Sequence, residues 1–182
     1  MSNNVHTFSM KRIDGKDTSL GDYRGKVLLV VNVASKCGLT PQYEALEKLY
    51  EAKRERGLEV LGFPANDFEG QEPGTDAEIA SFCSTKYDVK FPLFSKISVV
   101  GANKHPLYQH LTTEKREATG EGPMRKNLAG YGIATSAPGE VLWNFEKFLV
   151  DRQGKVINRF APDVTPDDPR LTSAIESALA AK

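Results

Sequence analysis

The sequence Val27-Leu28-Leu29-Val30-Val31-Asn32-Val33 is almost entirely β-branched and aliphatic. A strand without alternation between apolar and polar residues is typical of a sheet that helices cover on both faces. The unbroken apolar part ends at Val31, so it is far shorter than the roughly 20 residues of a membrane-spanning helix. This stretch therefore predicts a central strand of an α/β fold and no membrane span.

A helix and a second strand are predicted after this run. Thr40-Pro41 has the pattern of an N-cap with proline at the first helical position, and helical apolar spacing predicts a helix over about 41–56. Leu58–Phe63 is again a short apolar strand. A strand, helix and strand of this length close as a right-handed parallel crossover.

The remaining patterns complete the arrangement. Turn residues, caps and apolar spacing predict a hairpin over 8–20, a helix from a Thr75/Glu78 capping box to about Tyr87, an extended segment over 91–99, a helix from Pro106, a hairpin over 145–160 and a last helix capped by Thr165-Pro166. Residues 112–138 lose apolar periodicity, which predicts a long connection. A parallel β-α-β half followed by a hairpin and a helix is thioredoxin-like. We expect an α/β fold in one domain over 1–182, with a central mixed sheet flanked by helices and an N-terminal β-hairpin.

Composition excludes several classes of protein. The 182 residues carry 24 Lys and Arg against 24 Asp and Glu, so the surplus positive charge of a nucleic-acid binder is missing. The N-terminus lacks the basic start and apolar stretch of a secretory signal, which predicts a cytoplasmic protein. Two cysteines and three histidines without a paired ligand motif predict no metal site. No glycine-rich nucleotide-binding motif is present, so we expect no bound cofactor.

Cys37 is the first candidate for chemistry. It lies just past the first strand and before the predicted helix, where unpaired backbone N–H groups and the helix dipole favour an anion. Lys36 adds a positive charge, and the thiolate is the reactive form of cysteine. Thr40 stands where a dithiol oxidoreductase carries its second cysteine, so a lone thiolate here suits attack on a peroxide oxygen to form a sulfenic acid. The alternative is an inert buried cysteine.

Four separated motifs occur in one order along the chain. They are Val31-Asn32-Val33-Ala34-Ser35-Lys36-Cys37-Gly38, Gly62-Phe63-Pro64-Ala65-Asn66-Asp67-Phe68, Gln71-Glu72-Pro73 and Trp143-Asn144-Phe145-Glu146-Lys147-Phe148-Leu149-Val150. The chain resembles the glutathione peroxidase family from about Phe8 to the last helix. The family's peroxide-reacting tetrad of cysteine or selenocysteine, Gln, Trp and Asn matches Cys37, Gln71, Trp143 and Asn144. Amide and indole N–H groups stabilise a thiolate without offering a competing proton acceptor.

The resemblance also implies a role for Cys83. Its separation from Cys37 resembles that between the peroxide-reacting and resolving cysteines of thioredoxin-using members, so Cys83 would attack the sulfenic acid and form a disulfide. That bond requires Cα atoms within about 7 Å, which the helix over 76–87 prevents until it unwinds locally. Alternatively, Cys83 shares a helix face with Ile79 and Phe82 as an inert core residue.

Two positions depart from the family pattern. Many relatives have cysteine where this chain has Ala65, which leaves Cys83 as the sole internal partner for Cys37. Many have glutamine where this chain has Asp67, which is expected to place a carboxylate near the site.

The 112–138 segment leaves the reductant and the oligomeric state open. Tetrameric glutathione-using members have a longer segment here, whereas monomeric or dimeric thioredoxin-using members lack much of it. Arg116, Arg125 and Lys126 in this segment either meet the carboxylates of glutathione or form a solvated charged stretch, and the second is favoured.

The expected function is that of a cytoplasmic thiol peroxidase that reduces hydrogen peroxide and organic hydroperoxides without a metal, flavin or nucleotide. Cys37 attacks, Cys83 resolves and thioredoxin reduces the disulfide. One alternative keeps the peroxidase and lets glutathione reduce the Cys37 sulfenic acid directly, with Cys83 structural. Another is a redox sensor or a binding protein that uses the same site.

Overall fold

The computed structural model describes residues 4–181. Its elements follow the order β1 Ser9–Lys11, β2 Asp17–Ser19, β3 Val27–Val33, α1 Gln42–Lys53, β4 Leu58–Pro64, α2 Asp76–Tyr87, α3 Pro106–Glu114, α4 Glu121–Gly130, β5 Lys147–Val150, β6 Val156–Phe160 and α5 Pro169–Ala180. Short 3-10 helices lie at Val5–Thr7, Leu20–Tyr23 and Arg54–Arg56.

A four-stranded sheet in the order β4-β3-β5-β6 forms the centre of the molecule. β3 pairs in parallel with β4, from Val27 opposite Leu58 to Val33 opposite Pro64. It pairs antiparallel with β5, which forms a hairpin with β6. Every residue of β3 is buried, as its unbroken apolar pattern predicts. The mixed sheet, with a parallel crossover on one side and a hairpin on the other, confirms the expected arrangement.

Helices pack on this sheet along the faces that the sequence pattern indicates. α1 contacts β4 and α2, and α5 contacts β3. The apolar face predicted for the last helix is buried at Leu171, Ile175, Ala178 and Leu179. The N-terminal hairpin pairs β1 with β2, whereas the segment predicted to be extended over 91–99 forms no strand and only bridges from Leu93 to Gly62 and from Phe94 to Arg12. Within residues 4–181, no helix is both long enough and apolar enough to cross a membrane.

The helix predicted over about 41–56 is confirmed to within one residue, since α1 and the 3-10 helix after it together span 42–56, but its predicted cap is wrong. The helix begins at Gln42, and Thr40 makes no side-chain cap. The Thr40 hydroxyl instead donates to the Ala34 main-chain oxygen over 2.8 Å and accepts the Cys37 N–H over 2.9 Å. Thr40 therefore stabilises the turn that carries the cysteine.

The cap predicted for α5 is also wrong, whereas the cap of α2 is confirmed. Asp168 caps α5 by accepting the Arg170 N–H over 2.8 Å, and Pro169 occupies the first helical position. Thr165-Pro166 lies just before this cap. Asp168-Pro169 has the same pattern of a capping residue followed by proline, and it stands closer to the apolar residues of the helix. At α2, Thr75 and Glu78 form both hydrogen bonds of a capping box.

The predicted long connection over 112–138 contains a helix. α4 spans Glu121–Gly130 and buries Met124 and Leu128, one turn apart. Two apolar residues in a segment interrupted by glycine give too weak a helical period to predict the element. The segment folds over the site described next.

Candidate active site

The Cys37 side chain lies in a tight turn at the carboxyl end of β3. Its sulfur accepts the main-chain N–H of Leu39 over 3.3 Å, and its own N–H is held by Thr40. The residue is 8% exposed, so most of it is shielded from solvent. An N–H donated to sulfur stabilises negative charge, which suits a nucleophilic thiolate.

Gln71 and Asn144 are brought together from distant parts of the chain. The Asn144 amide donates from Nδ2 to Gln71 Oε1 over 3.0 Å. Since this bond occupies the Gln71 oxygen, the side chain of Gln71 offers its amide N–H groups to a reactant. Asn144 is fully buried, and its Oδ1 has no hydrogen-bond partner among residues 4–181.

Trp143 packs on Phe68 with ring centroids 5.6 Å apart and an angle of 47° between the planes. It is 7% exposed, so most of the indole is shielded from water. The backbone after it is unusual, because Phe145 has a φ of 70°, in the left-handed region. Packing around this segment must therefore hold a backbone conformation that a bulky residue rarely adopts.

One cavity collects most of the predicted tetrad. Cys37, Gln71 and Trp143 line a cavity of about 500 Å³, and α4 and the turn after it contribute Met124, Asn127, Leu128, Tyr131 and Ile133. Asn144 lies behind Gln71 through their hydrogen bond. The structure thus places a thiol, an amide and an indole together at a partly enclosed, largely apolar opening.

Cys83 lies outside this cavity. It is on α2, fully buried, and both cysteines are free thiols. Burial raises the pKa of the Cys83 thiol to about 11, a nearby Tyr43 hydroxyl lowers that pKa, and the charge of Glu72 raises it further. The Tyr43 hydroxyl makes no hydrogen bond of good geometry within the described part of the chain. It therefore lowers the pKa of Cys83 by lying near the thiol and not through a well-formed hydrogen bond.

Two hydrogen bonds tie the Gln71 loop to the Cys37 turn. The Lys36 N–H donates to the Gln71 main-chain oxygen over 3.0 Å, and the Ser35 N–H donates to Glu72 Oε1 over 3.1 Å. Asn66 Oδ1 accepts the Glu72 N–H over 2.8 Å. These bonds fix the position of Gln71 relative to the sulfur.

Asn32 fixes the other side of the site and was not predicted as a site residue. Its Nδ2 donates to the Trp143 main-chain oxygen over 3.1 Å, and its own main-chain oxygen accepts the Phe145 N–H over 2.7 Å. Asn32 is fully buried on β3. A lone amide inside an apolar strand was the available signal, since a buried polar group requires a partner.

A buried ion pair supports the segment that carries Trp143. Arg159 and Glu146 pair at 2% and 1% side-chain exposure. Glu146 Oε1 also accepts the Leu142 N–H over 2.8 Å, and burial raises the pKa of its carboxyl. The guanidinium donates in addition to main-chain oxygens at both ends of the 115–140 region, those of Lys115, Arg116, Gly139 and Glu140.

Lys147 is a second buried charge close to the site. Its Nζ donates to Gln42 Oε1 over 2.7 Å and to the Pro162 main-chain oxygen over 2.8 Å. Burial lowers the pKa of Lys147 to about 7. The bond to Pro162 holds the loop whose next residue, Asp163, lines the cavity.

Two expectations about charged residues need revision. The Asp67 carboxylate does not line the Cys37 cavity, because it accepts from Ser98 Oγ over 2.8 Å and from the Val99 N–H over 2.7 Å. Arg116 and Arg125 donate to main-chain oxygens of their own segment, at Pro138 and Ser136, so they stabilise the fold of that segment. Lys126 is exposed.

Known proteins are similar in sequence to this chain over nearly its whole length. A family model described as glutathione peroxidase matches residues 5–112. The thioredoxin/glutathione peroxidase BtuE of Escherichia coli (strain K12) is 51% identical over 182 residues, which cover 99% of this chain and 100% of that protein. The hydroperoxy fatty acid reductase gpx1 of Synechocystis sp. is 47% identical, with 98% of this chain and 97% of that protein covered.

Solved structures agree with these sequence matches. The apo form of a protein described as Trgpx is 35% identical and superposes with a TM-score of 0.72, covering 98% of this chain and 97% of that chain. Sequence identity above one third, coverage of nearly the whole chain and a shared fold lead to one conclusion. This chain belongs to the glutathione peroxidase family, and it is a peroxidase with a thioredoxin-like fold.

Proposed function

We propose that the protein reduces hydrogen peroxide and organic hydroperoxides at Cys37, and that thioredoxin completes the cycle by reducing a Cys37–Cys83 disulfide. The supporting observation is the convergence of Cys37, Gln71 and Trp143 on one cavity, with Asn144 held behind Gln71. The four side chains are then the catalytic residues, and Cys83 is the resolving thiol.

In the first step, the Cys37 thiolate attacks the terminal oxygen of the peroxide. An S–O bond forms, the O–O bond breaks, and the leaving oxygen takes a proton and departs as water or an alcohol. The sulfur is oxidised to a sulfenic acid while the peroxide is reduced by two electrons. The Leu39 N–H, the Gln71 amide and the Trp143 indole supply donors for the charge on sulfur and oxygen.

The cavity wall supports organic hydroperoxides as substrates besides hydrogen peroxide. Met124, Leu128 and Ile133 face the opening from α4 and the turn after it. A cavity of about 500 Å³ has room for a carbon chain beside the thiol. The name of the Synechocystis relative, a hydroperoxy fatty acid reductase, agrees with such a substrate.

Resolution by Cys83 requires α2 to open. Of the 12 residues of α2, Ile79 and Cys83 are buried and Phe82 and Tyr87 pack partly buried against the core, so most of the helix surface faces solvent and its unwinding breaks a limited set of apolar contacts. The helix ends at Asp88 with a φ of 51°, a strained position for a residue other than glycine. Both features lower the free-energy cost of the opening that a disulfide with Cys37 needs.

A second candidate differs only in the reductant. Cys83 is 0% exposed, and burial raises the pKa of its thiol to about 11, both of which favour a structural role. Glutathione would then attack the Cys37 sulfenic acid directly. The name of the E. coli relative includes both reductants, so it supports either cycle.

Coupled NADPH consumption separates the two cycles. Wild type, Cys37→Ser and Cys83→Ser are assayed with hydrogen peroxide or an organic hydroperoxide, in parallel with thioredoxin and its reductase and with glutathione and its reductase. The proposal expects thioredoxin-driven turnover that is lost in both variants. Glutathione-driven turnover that survives Cys83→Ser would support the second candidate, and no turnover with either reductant would contradict both. Urea unfolding of Cys83→Ser checks that its effect is not a loss of fold.

A further inference from the structure

A buried group of ionisable side chains lies around the proposed resolving cysteine and outside the Cys37 cavity. Glu72 follows Gln71, Tyr43 is on α1 and Cys83 is on α2, and their exposed fractions are 1%, 0% and 0%. Glu72 lines one cavity with Ile79 and Phe82 of α2, which lie one turn before and directly before Cys83, and the Glu72 charge raises the pKa of both Tyr43 and Cys83. Neither Glu72 Oε2 nor the Tyr43 hydroxyl has a hydrogen-bond partner among the residues described.

We propose that Glu72 takes up the proton that Cys83 releases when this thiol attacks the Cys37 sulfenic acid. The inference rests on the proposed function, since it requires Cys83 to resolve. Glu72 is placed for the task by its Oε1, which is fixed by the Ser35 N–H over 3.1 Å, while Oε2 remains available. It also lines a cavity of about 330 Å³ with Ile79 and Phe82, the residues of α2 that flank Cys83.

Charge balance favours a transfer within this group. Burial raises the pKa of the Glu72 carboxyl and that of the Cys83 thiol. Two negative charges in this interior would therefore be costly. When one proton moves from the Cys83 sulfur to the Glu72 carboxylate, the negative charge passes from Glu72 to Cys83 and the total charge stays the same. The transfer also removes the Glu72 charge, which raises the pKa of the thiol.

The step is balanced without an external oxidant. The Cys83 proton moves to Glu72 while α2 is still folded. As α2 unwinds, the resulting thiolate forms a bond with the Cys37 sulfur, and the S–O bond of the sulfenic acid breaks. The leaving hydroxyl takes the proton from Glu72 and departs as water. Cys83 is oxidised and the Cys37 sulfur is reduced by the same amount, which gives one disulfide.

Other charges set the pH range of this transfer. Burial has the largest effect on the pKa of the Glu72 carboxyl and raises it, whereas hydrogen bonding by Ser35 and then the charges of Lys96 and Lys36 lower it. Tyr43 and Glu72 face Cys83. The rate of disulfide formation should fall at acid pH as Glu72 becomes protonated, because a protonated carboxyl cannot accept the proton.

Glu72→Gln tests the proton transfer without removing the structural bond. The amide oxygen of this variant can still accept the Ser35 N–H, but the amide takes up no proton at working pH. The control is Glu47→Gln, a second buried carboxylate whose bond to the Lys90 N–H is likewise retained and which does not act on Cys83. Rapid mixing with hydrogen peroxide, followed by Trp143 fluorescence, separates oxidation of Cys37 from disulfide formation. Alkylation and intact mass identify each phase.

The proposal expects Glu72→Gln to leave the first phase within about twofold and to slow the second by at least about tenfold, since a general base contributes roughly 10²–10⁴-fold. The fall in the rate of the second phase at acid pH, here called its acid limb, should disappear in Glu72→Gln. Glu47→Gln should change the rate of neither phase. Glu72→Asp keeps a proton acceptor and shortens the link to Ser35, so it should retain the acid limb. An unchanged second phase in Glu72→Gln, equal slowing of both phases, or loss of the acid limb in Glu72→Asp would overturn the proposal. Absence of a second phase in wild type, with Cys37 oxidised normally, would instead show that Cys83 does not resolve.

Discussion

The side-chain amide of Asn32 donates to the main-chain oxygen of Trp143, 111 positions later in the chain, over 3.1 Å. Asn32 lies on β3, and the same strand leads directly into the turn that holds Cys37. The bond therefore sets the distance between the thiol and the indole through one rigid strand. Both faces of the candidate site depend on an amide that does not itself line the cavity.

Asn32→Ala should weaken both fold and activity. The Trp143 oxygen would lose its side-chain donor in a buried setting, which costs about 1–3 kcal/mol of unfolding free energy. Displacement of Trp143 should also slow oxidation of Cys37. Urea unfolding and the rate of thiol loss after peroxide addition measure the two effects. Asn127→Ala is the control, because Asn127 lines the cavity from α4 but is exposed, and an Asn32→Ala protein indistinguishable from it would contradict this account.

Trp143→Phe should separate the indole N–H from the aromatic packing. Phenylalanine keeps a ring against Phe68 but cannot donate a hydrogen bond. Removal of one donor from a charge-stabilising site lowers a rate by on the order of 10²-fold. The measurement is rapid quenching with an alkylating reagent, since the variant lacks the fluorescent side chain. Phe68→Leu changes the packing and keeps the N–H, so the prediction fails if that variant is slowed as much as Trp143→Phe.

Arg159→Met should destabilise the protein by about 3–5 kcal/mol. It leaves the buried Glu146 carboxylate without its cation, and removal of one partner of a buried pair costs about this much. Chemical denaturation gives the unfolding free energy. The matched control is Arg56→Met at the solvent-exposed pair with Glu176, where a much smaller change is expected. Similar values for the two variants would show that burial does not set the strength of the internal pair.

Alkylation should distinguish the two cysteines in the native protein. Burial raises the pKa of Cys83 to about 11, so this thiol is protonated at pH 8 and also lies out of reach of reagent. Iodoacetamide at pH 8 should add one group, at Cys37, and a second only after denaturation. Intact mass and peptide mapping give the result, and rapid native labelling of Cys83 would mean that α2 is open in the reduced protein.

Much of the fold could be predicted from local patterns. The β3 run, the Thr75/Glu78 capping box and the 145–160 hairpin each carry their signal within a few residues, and all three are confirmed. The cap of α1 could not be predicted, because the Thr40 hydroxyl bonds to the Ala34 main-chain oxygen and the Cys37 N–H within its own turn instead of capping the helix. α4 could not be predicted either. Its two buried residues, Met124 and Leu128, pack at the Cys37 cavity, and two apolar residues alone do not give a recognisable helical period.

The site required more than local patterns. Cys37 has a local signal, the end of a buried strand, whereas Gln71, Trp143 and Asn144 could be chosen only through resemblance to a family. The structure brings these residues to one cavity and a shared hydrogen bond. The residues that hold them in place, Asn32 and the Glu146–Arg159 pair, act through contacts between distant segments, which no single stretch of sequence encodes.

The most direct test of the account is the covalent state of the two cysteines after one equivalent of hydrogen peroxide. The reduced protein is mixed with peroxide, quenched by acid, unfolded, alkylated and mapped by mass spectrometry. The account predicts a protein lighter by two hydrogen atoms, with one peptide pair joined through Cys37 and Cys83. An oxygen adduct that remains on Cys37 while Cys83 is fully alkylated, or two free thiols with peroxide unconsumed, would contradict it.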